Sequence, residues 1–314
     1  MKFPIFPPQA STIARQVDAL CLMLLAVCGA VLLAILIAIL YFLFKYRRAK
    51  PANRSLFRGS TLAYELAWTL FPLLMFMGMF CWGAVIYHDE QIIPKSEIEL
   101  NAVGKQWMWK IQHPNGRREI DEMHVPVGQV VKVTLASQDV IHSFYLPAFR
   151  IKQDVVPGRL TTEWFQATKT GTYHLFCAEY CGKDHSRMRG RVIVMEPAEY
   201  EQWLNSGSHE PSLAQAGEQL FRSLGCSGCH MGSSVVRAPR LEGLYGKPTA
   251  LQDGRVVLAD EAYIRDSILL PGRDIAAGYQ PVMPTYQAQI NEEQIFELIA
   301  YIKSLSAQKP ESSR

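Results

Sequence analysis

Two short runs concentrate the side chains that can hold a redox metal. The run CAEYCGKDHSRM brings together Cys177, Cys181, His185 and Met188, and His142 lies upstream in DVIHSFYLP, between two strand-like stretches. Two thiolates, two imidazoles and a thioether make a soft donor set. Soft donors select copper, and a thioether argues against structural zinc, which takes Cys and His alone. A mononuclear blue-copper loop uses one Cys. Two thiolates can instead bridge, sharing their charge over two metal ions with one His and one weaker ligand each. The expectation is therefore a two-copper electron-transfer site. The plain alternative is a disulfide, which is what a Cys pair outside the cytosol usually forms. A disulfide gives His142, His185 and Met188 nothing to do.

The second run is CSGCH at 226–230. In this pattern Cys226 and Cys229 add to the vinyl groups of a haem, and the adjacent His230 is delivered to the iron. QPVMPTY, further along, offers Met283 as the sixth ligand. Met/His ligation raises the potential and suits electron transfer. Met231, beside the motif, is not expected to ligate.

The elements that must position these residues fall into three regions. The N-terminal region holds two uncharged runs, Ala19 to Phe44 and Leu66 to Ile86, each long enough to cross a bilayer. Between them lie Lys45, Arg47, Arg48, Lys50, Arg54 and Arg58 without an acid, so the positive-inside rule puts this loop in the cytoplasm and both termini outside. The first run is too long for a signal-peptide core, and its basic cluster comes after it rather than before. Glu65 stands at the start of the second run. It is either a helix-start acid favoured by the macrodipole or a membrane-edge carboxylate serving a proton path. From 97 to 196, short runs such as QVVKVTLAS, LTTEWFQA and GRVIVME alternate and are broken by HPNG and VPVG, the pattern of a sandwich or barrel. After the polar stretch NSGSHEPSL, helical spacing takes over, ending in NEEQIFELIAYIKSLS with Asn291 as N-cap.

Composition agrees. The chain has 314 residues, 49% hydrophobic and 19% charged, with a formal charge of +3. That charge is too small, and basic runs with interleaved aromatics too few, for a nucleic-acid partner. The aliphatic and aromatic content excludes disorder.

The runs YELAWTLFP, GKQWMWK, DVIHSFYLPAFRIKQDVVPGR and GTYHLFCAEYCGKDHSRM resemble subunit II of the haem-copper cytochrome c oxidases over about residues 15–200. The segment 214–306 resembles class I cytochromes c. The resemblance implies a two-helix transmembrane hairpin (1–94), then an all-β cupredoxin-like sandwich (95–204), a linker (205–213), and an all-α class I cytochrome c domain (214–314). It implies that the binuclear copper centre called CuA is held by His142, Cys177, Cys181, His185 and Met188, with the backbone carbonyl of Glu179. The Glu179 carboxylate would reach a magnesium or manganese ion at the boundary with subunit I. Trp107 would be the aromatic through which electrons enter, Glu65 the acid at a proton-channel mouth, and the Pro239 carbonyl the partner of the His230 ring.

The resemblance thus implies an electron-accepting subunit of a respiratory terminal oxidase, with one covalent haem c and two copper ions, passing electrons from an external donor to the haem, then to the copper pair, then to the subunit I that reduces oxygen to water with proton pumping. Its expected neighbours are subunits I and III, and its expected donor is an external cytochrome c. Its place would be the bacterial inner membrane, with the redox domains on the periplasmic side. Other readings are a nitric oxide reductase subunit, a freestanding membrane-anchored carrier, and a copper-delivery or sensor protein, which would not need CSGCH. Residues 97–196 hold 13 Lys/Arg against 11 Asp/Glu, and residues 214–308 hold 8 against 10, so a basic donor is expected to be steered to the haem domain. The linker spans at most ~30 Å extended, at ~3.3 Å per residue, and predicts a weakly docked haem domain at high effective concentration.

Overall fold

A computed structural model describes residues 6–48, 61–206, 210–231 and 237–307; of the expected basic loop, Lys50, Arg54 and Arg58 lie outside them. The chain forms two units, Thr12–Ile92 and Met1–Ser11 with Ile93–Arg314.

The first unit is a pair of helices, α1 (Thr12–Lys45) and α2 (Leu62–Gln91), which contain the two uncharged runs. Their surfaces are apolar all round, with Leu32, Phe44, Trp68, Phe71 and Leu74 among the exposed side chains. A helix apolar on every face belongs in lipid. Lys45 closes the last turn of α1 and Glu65 sits in the first turn of α2, the signs that the helix dipoles favour.

The second unit opens with a sandwich of ten strands: β1 (Ile98–Lys105), β2 (Met108–Gln112), β3 (Arg118–Ile120), β4 (Glu122–Pro126), β5 (Val130–Ser137), β6 (His142–Leu146), β7 (Ile151–Val155), β8 (Thr161–Gln166), β9 (Gly171–Cys177) and β10 (Arg189–Met195). One sheet runs β3-β2-β1-β5-β8 and the other β4-β10-β9-β6-β7. Inward residues Leu100, Trp109, Ile111, Val133, Phe144, Phe165, Leu175 and Val192 are fully buried, as two facing sheets require. The N-terminal segment belongs to this body: Ala10 N–H donates to Ala148 O at 2.9 Å, and Thr168 N–H to Ala10 O at 2.8 Å. Helix α3 (Pro197–Asn205) closes the sandwich, burying Tyr200. Residues 207–209 of the expected linker lie outside the described residues, but its far end is held: Leu213 N–H donates to Pro114 O at 3.1 Å and Ser212 forms a capping box with Gln215.

Then come α4 (Leu213–Ser223), the single turn α5 (Ser227–His230), the hairpin β11 (Pro248–Ala250) and β12 (Val256–Leu258), α6 (Glu261–Leu269) and α7 (Glu292–Ala307). Phe221, Leu241, Ile264, Ile295, Phe296 and Ile299 form their core, and Val103 of β1 and Ala136 of β5 belong to the same buried cluster. The helical domain is thus seated on the sandwich rather than hanging from a loose tether. Ion pairs rim the seat: Lys110 to Glu293 at 2.6 Å, Arg118 to Glu297 at 2.7 Å, Lys132 to Glu261 at 3.3 Å, and Lys303 to Glu99 at 2.8 Å and to Glu261 at 3.0 Å. Arg265, itself buried and bidentate to Glu292, donates across the seat to Gly158 O at 2.9 Å. Much of the acidity of the helical domain is therefore answered inside the chain, which weakens charge as a guide to an external donor.

Candidate metal and haem sites

The sandwich brings the expected copper donors to one end. His142 begins β6, Cys177 ends β9, a turn carries Glu179 and Cys181, a 3-10 turn carries His185, and Met188 precedes β10. Cys177 Sγ lies 3.8 Å from Cys181 Sγ and 3.9 Å from His142 Nδ1; Cys181 Sγ lies 3.5 Å from His185 Nδ1 and 3.7 Å from Met188 Sδ. The Glu179 carbonyl is 3.2 Å from Cys177 Sγ, while its side chain is exposed. The thiols are not bonded to each other. Five soft or borderline donors and a carbonyl converging in a buried pocket fit copper, and the set leaves no disulfide to explain.

Three features tune this cluster that reading the sequence did not single out. Asp139 accepts from His142 Nε2 at 2.8 Å, which leaves Nδ1 toward the sulfurs, the carboxylate–histidine arrangement of metal sites. The signal was local, since Asp139 is three residues before His142. Gln106 Nε2 donates to Cys181 O at 2.7 Å and pins the turn. Gly104 on β1 must be glycine, because a Cβ there would lie 2.9 Å from His142 Cδ2. Burial works against ionisation of both thiols. For Cys177, the His142 imidazole and the Ser143 backbone overcome it and lower its pKa; for Cys181, the neighbouring Cys177 adds to burial and raises it. One thiolate therefore forms readily and the second needs a cation.

Trp107 is half-buried beside the cluster, its Nε1 donating to Cys181 O at 3.3 Å, whereas Trp109 is fully buried with its ring edge-on to His142. Glu65 is exposed and accepts from Thr61 Oγ1 at 2.6 Å.

In the helical domain a cavity of about 220 Å³ opens between α4, α6 and α7. Phe221, Cys226, Cys229, His230, Met283 and Ile302 are among its lining residues. His230 Nδ1 is 2.9 Å from Pro239 O, as expected, so Nε2 is the nitrogen left for a metal. An apolar hollow bringing together two thiols, an imidazole and a thioether fits a haem attached through Cys226 and Cys229.

Away from both sites, Glu119 bridges His113 Nε2 at 2.7 Å and His124 Nδ1 at 2.5 Å beneath Trp203. Burial opposes its charge, but the two imidazoles win and hold the carboxyl at about 2. This network ties β3, β4 and His113, just after β2, to α3.

Together these features describe a class: a membrane-anchored protein joining a β-sandwich with a soft-donor cluster to a helical domain of cytochrome c type. Residues 2–82 match the cytochrome c oxidase subunit II transmembrane domain, 115–196 its periplasmic domain, and 214–306 cytochrome c. Cytochrome c oxidase subunit 2 of Alkalihalophilus pseudofirmus is 30% identical over 90% of this chain and 86% of its own length. The alternative cytochrome c oxidase subunit 2 of Bradyrhizobium diazoefficiens is 28% identical over 56% of this chain and 74% of its own. The crystal structure of the periplasmic domain of subunit II of the Bradyrhizobium japonicum oxidase is 37% identical, with a TM-score of 0.36, covering 37% of this chain and 96% of that one. The chain belongs to the cytochrome c oxidase subunit II family. Copper in a CuA centre and haem in the cytochrome c domain come with that membership.

Proposed function

We propose that this chain is the electron-accepting subunit of an oxygen-reducing, proton-translocating terminal oxidase, anchored in the bacterial inner membrane with its redox domains on the periplasmic side. The observation that carries the reading is that one compact unit holds both donor sets, one for copper and one for haem. His142, Cys177, Cys181, His185, Met188 and the Glu179 carbonyl would hold two copper ions. Cys226 and Cys229 would attach the haem, with His230 and Met283 on its iron. When bound, the two groups supply one-electron couples, which Met/His ligation and the soft copper ligands poise at high potential.

The chain's own residues do the positioning. Asp139 fixes the His142 tautomer, Gln106 holds the turn that carries Cys181, and Pro239 orients His230. Electrons from the external donor would enter at the haem, pass to the copper pair and leave to subunit I; Trp107, against the Cys181 carbonyl, would be the entry aromatic only for a donor docking on the sandwich itself. The exposed Glu179 carboxylate is free to meet a magnesium or manganese ion shared with subunit I, and Glu65 to take up protons at a channel mouth. Subunit III and a cytochrome c donor complete the assembly.

The test is spectroscopic and chemical at once. The purified complex should carry two coppers per chain with a near-infrared band, a c-type α-band, and oxygen consumption driven by a reduced cytochrome c. Cys181→Ser should remove the copper band and leave the α-band unchanged. Retention of two coppers in that variant contradicts the ligand assignment, and consumption of nitric oxide in place of oxygen contradicts the oxidase.

A further inference from the structure

The seat between the two domains lies directly behind the copper cluster. Helix α7 turns one side to the sandwich and another to the cavity. Glu293 and Glu297, four residues apart, meet Lys110 and Arg118, whereas Leu298 and Ile302, also four apart, line the cavity. The cavity is thus separated from the sheet by one helix, about 10 Å across. Beyond α7 comes β1. Val103, fully buried, belongs to the helical domain's apolar cluster. Its neighbour Gly104 has the opposite orientation, as successive strand residues do, and faces His142 so closely that a Cβ on it would lie 2.9 Å from His142 Cδ2. Between the core of the helical domain and a copper ligand there is a single thickness of strand.

We propose that this seat is the electron-transfer pose: the haem domain works locked to the β1–β5 face, and the Val103–Gly104 segment of β1 is the bridge from the haem domain to His142. Lys110, Arg118, Lys132 and Lys303, with Glu293, Glu297, Glu261 and Glu99, are positioning residues that hold the pose. One electron crosses the bridge, oxidising the haem and reducing the copper pair by one, with no bond made or broken. The seat resists screening because Glu261, Glu293 and Glu297 are largely buried, with side-chain exposures of 18%, 15% and 9%. Burial opposes the charge on Glu261, yet Lys303 and Lys132 hold its carboxyl at about 2. The route differs from one through Trp107, which serves donors that reach the sandwich themselves. This inference rests on the function proposed above.

Zero-length carbodiimide coupling of the full chain in its complex tests the pose without reference to turnover. Lys303 and Glu99 should form an amide, identified by peptide mass spectrometry. Lys110→Glu with Arg118→Glu, at the other end of the seat, should lower that cross-link at least tenfold. The same variant should slow haem-to-copper transfer after flash reduction of the haem at least tenfold, with both absorption bands unchanged. Adding Glu293→Lys and Glu297→Lys should restore cross-link and rate to within about twofold. Absence of the cross-link in the unaltered complex, reversal that leaves the rate intact, or failure of the swapped charges to restore it overturns the proposal. A cross-linked chain lacking the copper band would instead overturn the function while leaving the seat in place.

Discussion

The clusters proposed to hold copper and haem are built in opposite ways. The copper donors sit on strand ends and a pinned turn, and the fold orders them through its own hydrogen bonds. Cys177 N–H donates to Met188 O at 3.1 Å, Ala178 N–H to Ser143 O at 3.0 Å, and His142 to Asp139 at 2.8 Å. The haem side is a hollow walled by apolar residues, and Met283 lies on an irregular segment between α6 and α7. A site built by hydrogen bonds is complete in the apoprotein, whereas a site built as a hollow needs its group as part of the core. The two should therefore fail differently.

The largest expected effect comes from the hollow. Phe221, Leu241, Ile264, Leu298 and Ile302 face the hollow, so without the attached group the helical core loses what it packs around. In Cys226→Ala/Cys229→Ala, the segment 214–306 should lose hydrogen-exchange protection throughout while the copper band persists. Equal protection in both forms would remove the distinction between the two sites.

The sandwich should instead fail by acid. The Glu119 carboxyl is held at about 2, against an ordinary value of 4.5. Its contribution is fully present above pH 4.5 and is lost as pH falls from 4.5 through about 2. A shift of that size corresponds to about 3 kcal/mol. Glu119→Gln should lower sandwich stability at pH 7 by about that amount and flatten its pH dependence below 4.5, measured by denaturant melts of the copper band. An unchanged acid limb would show that the His113–Glu119–His124 bridge carries no such energy.

The smallest effect belongs to Met188. Met188→Leu conserves volume and removes the thioether proposed as a weak ligand, so stability should change by less than about 1.5 kcal/mol and both coppers should remain, with a shifted potential and near-infrared maximum. Loss of copper would make Met188 a holding ligand rather than a tuning one.

The same contrast explains what the sequence made legible. Cys177, Cys181, His185, Met188 and the CSGCH run stand out in the sequence because the chemistry proposed for them is set by residue type at short spacing. The apolar helices could be read because lipid demands length and composition alone. The seat could not. Lys110 and Glu293 are 183 residues apart, and each looks like an ordinary solvated charge until the fold joins them. The linker suggested looseness because its composition is polar; the hold on Leu213 and the packing of Val103 against the helical core depend on the surface it leads to. Asp139 and Gly104 fall between these cases, adjacent in sequence to known chemistry but meaningful only once His142 has a direction.

The proposed route takes electrons from an external donor into this chain at its haem and out through its copper. The direct measurement compares two ways of supplying electrons to a complex truncated after Asn205. Oxygen consumption driven by the reduced cytochrome c donor should fall at least tenfold, while consumption driven by photoreduction of the copper site should stay within about twofold of the full-length complex. Full donor-driven turnover in the truncated complex would contradict it, and would put donor docking on the sandwich beside Trp107.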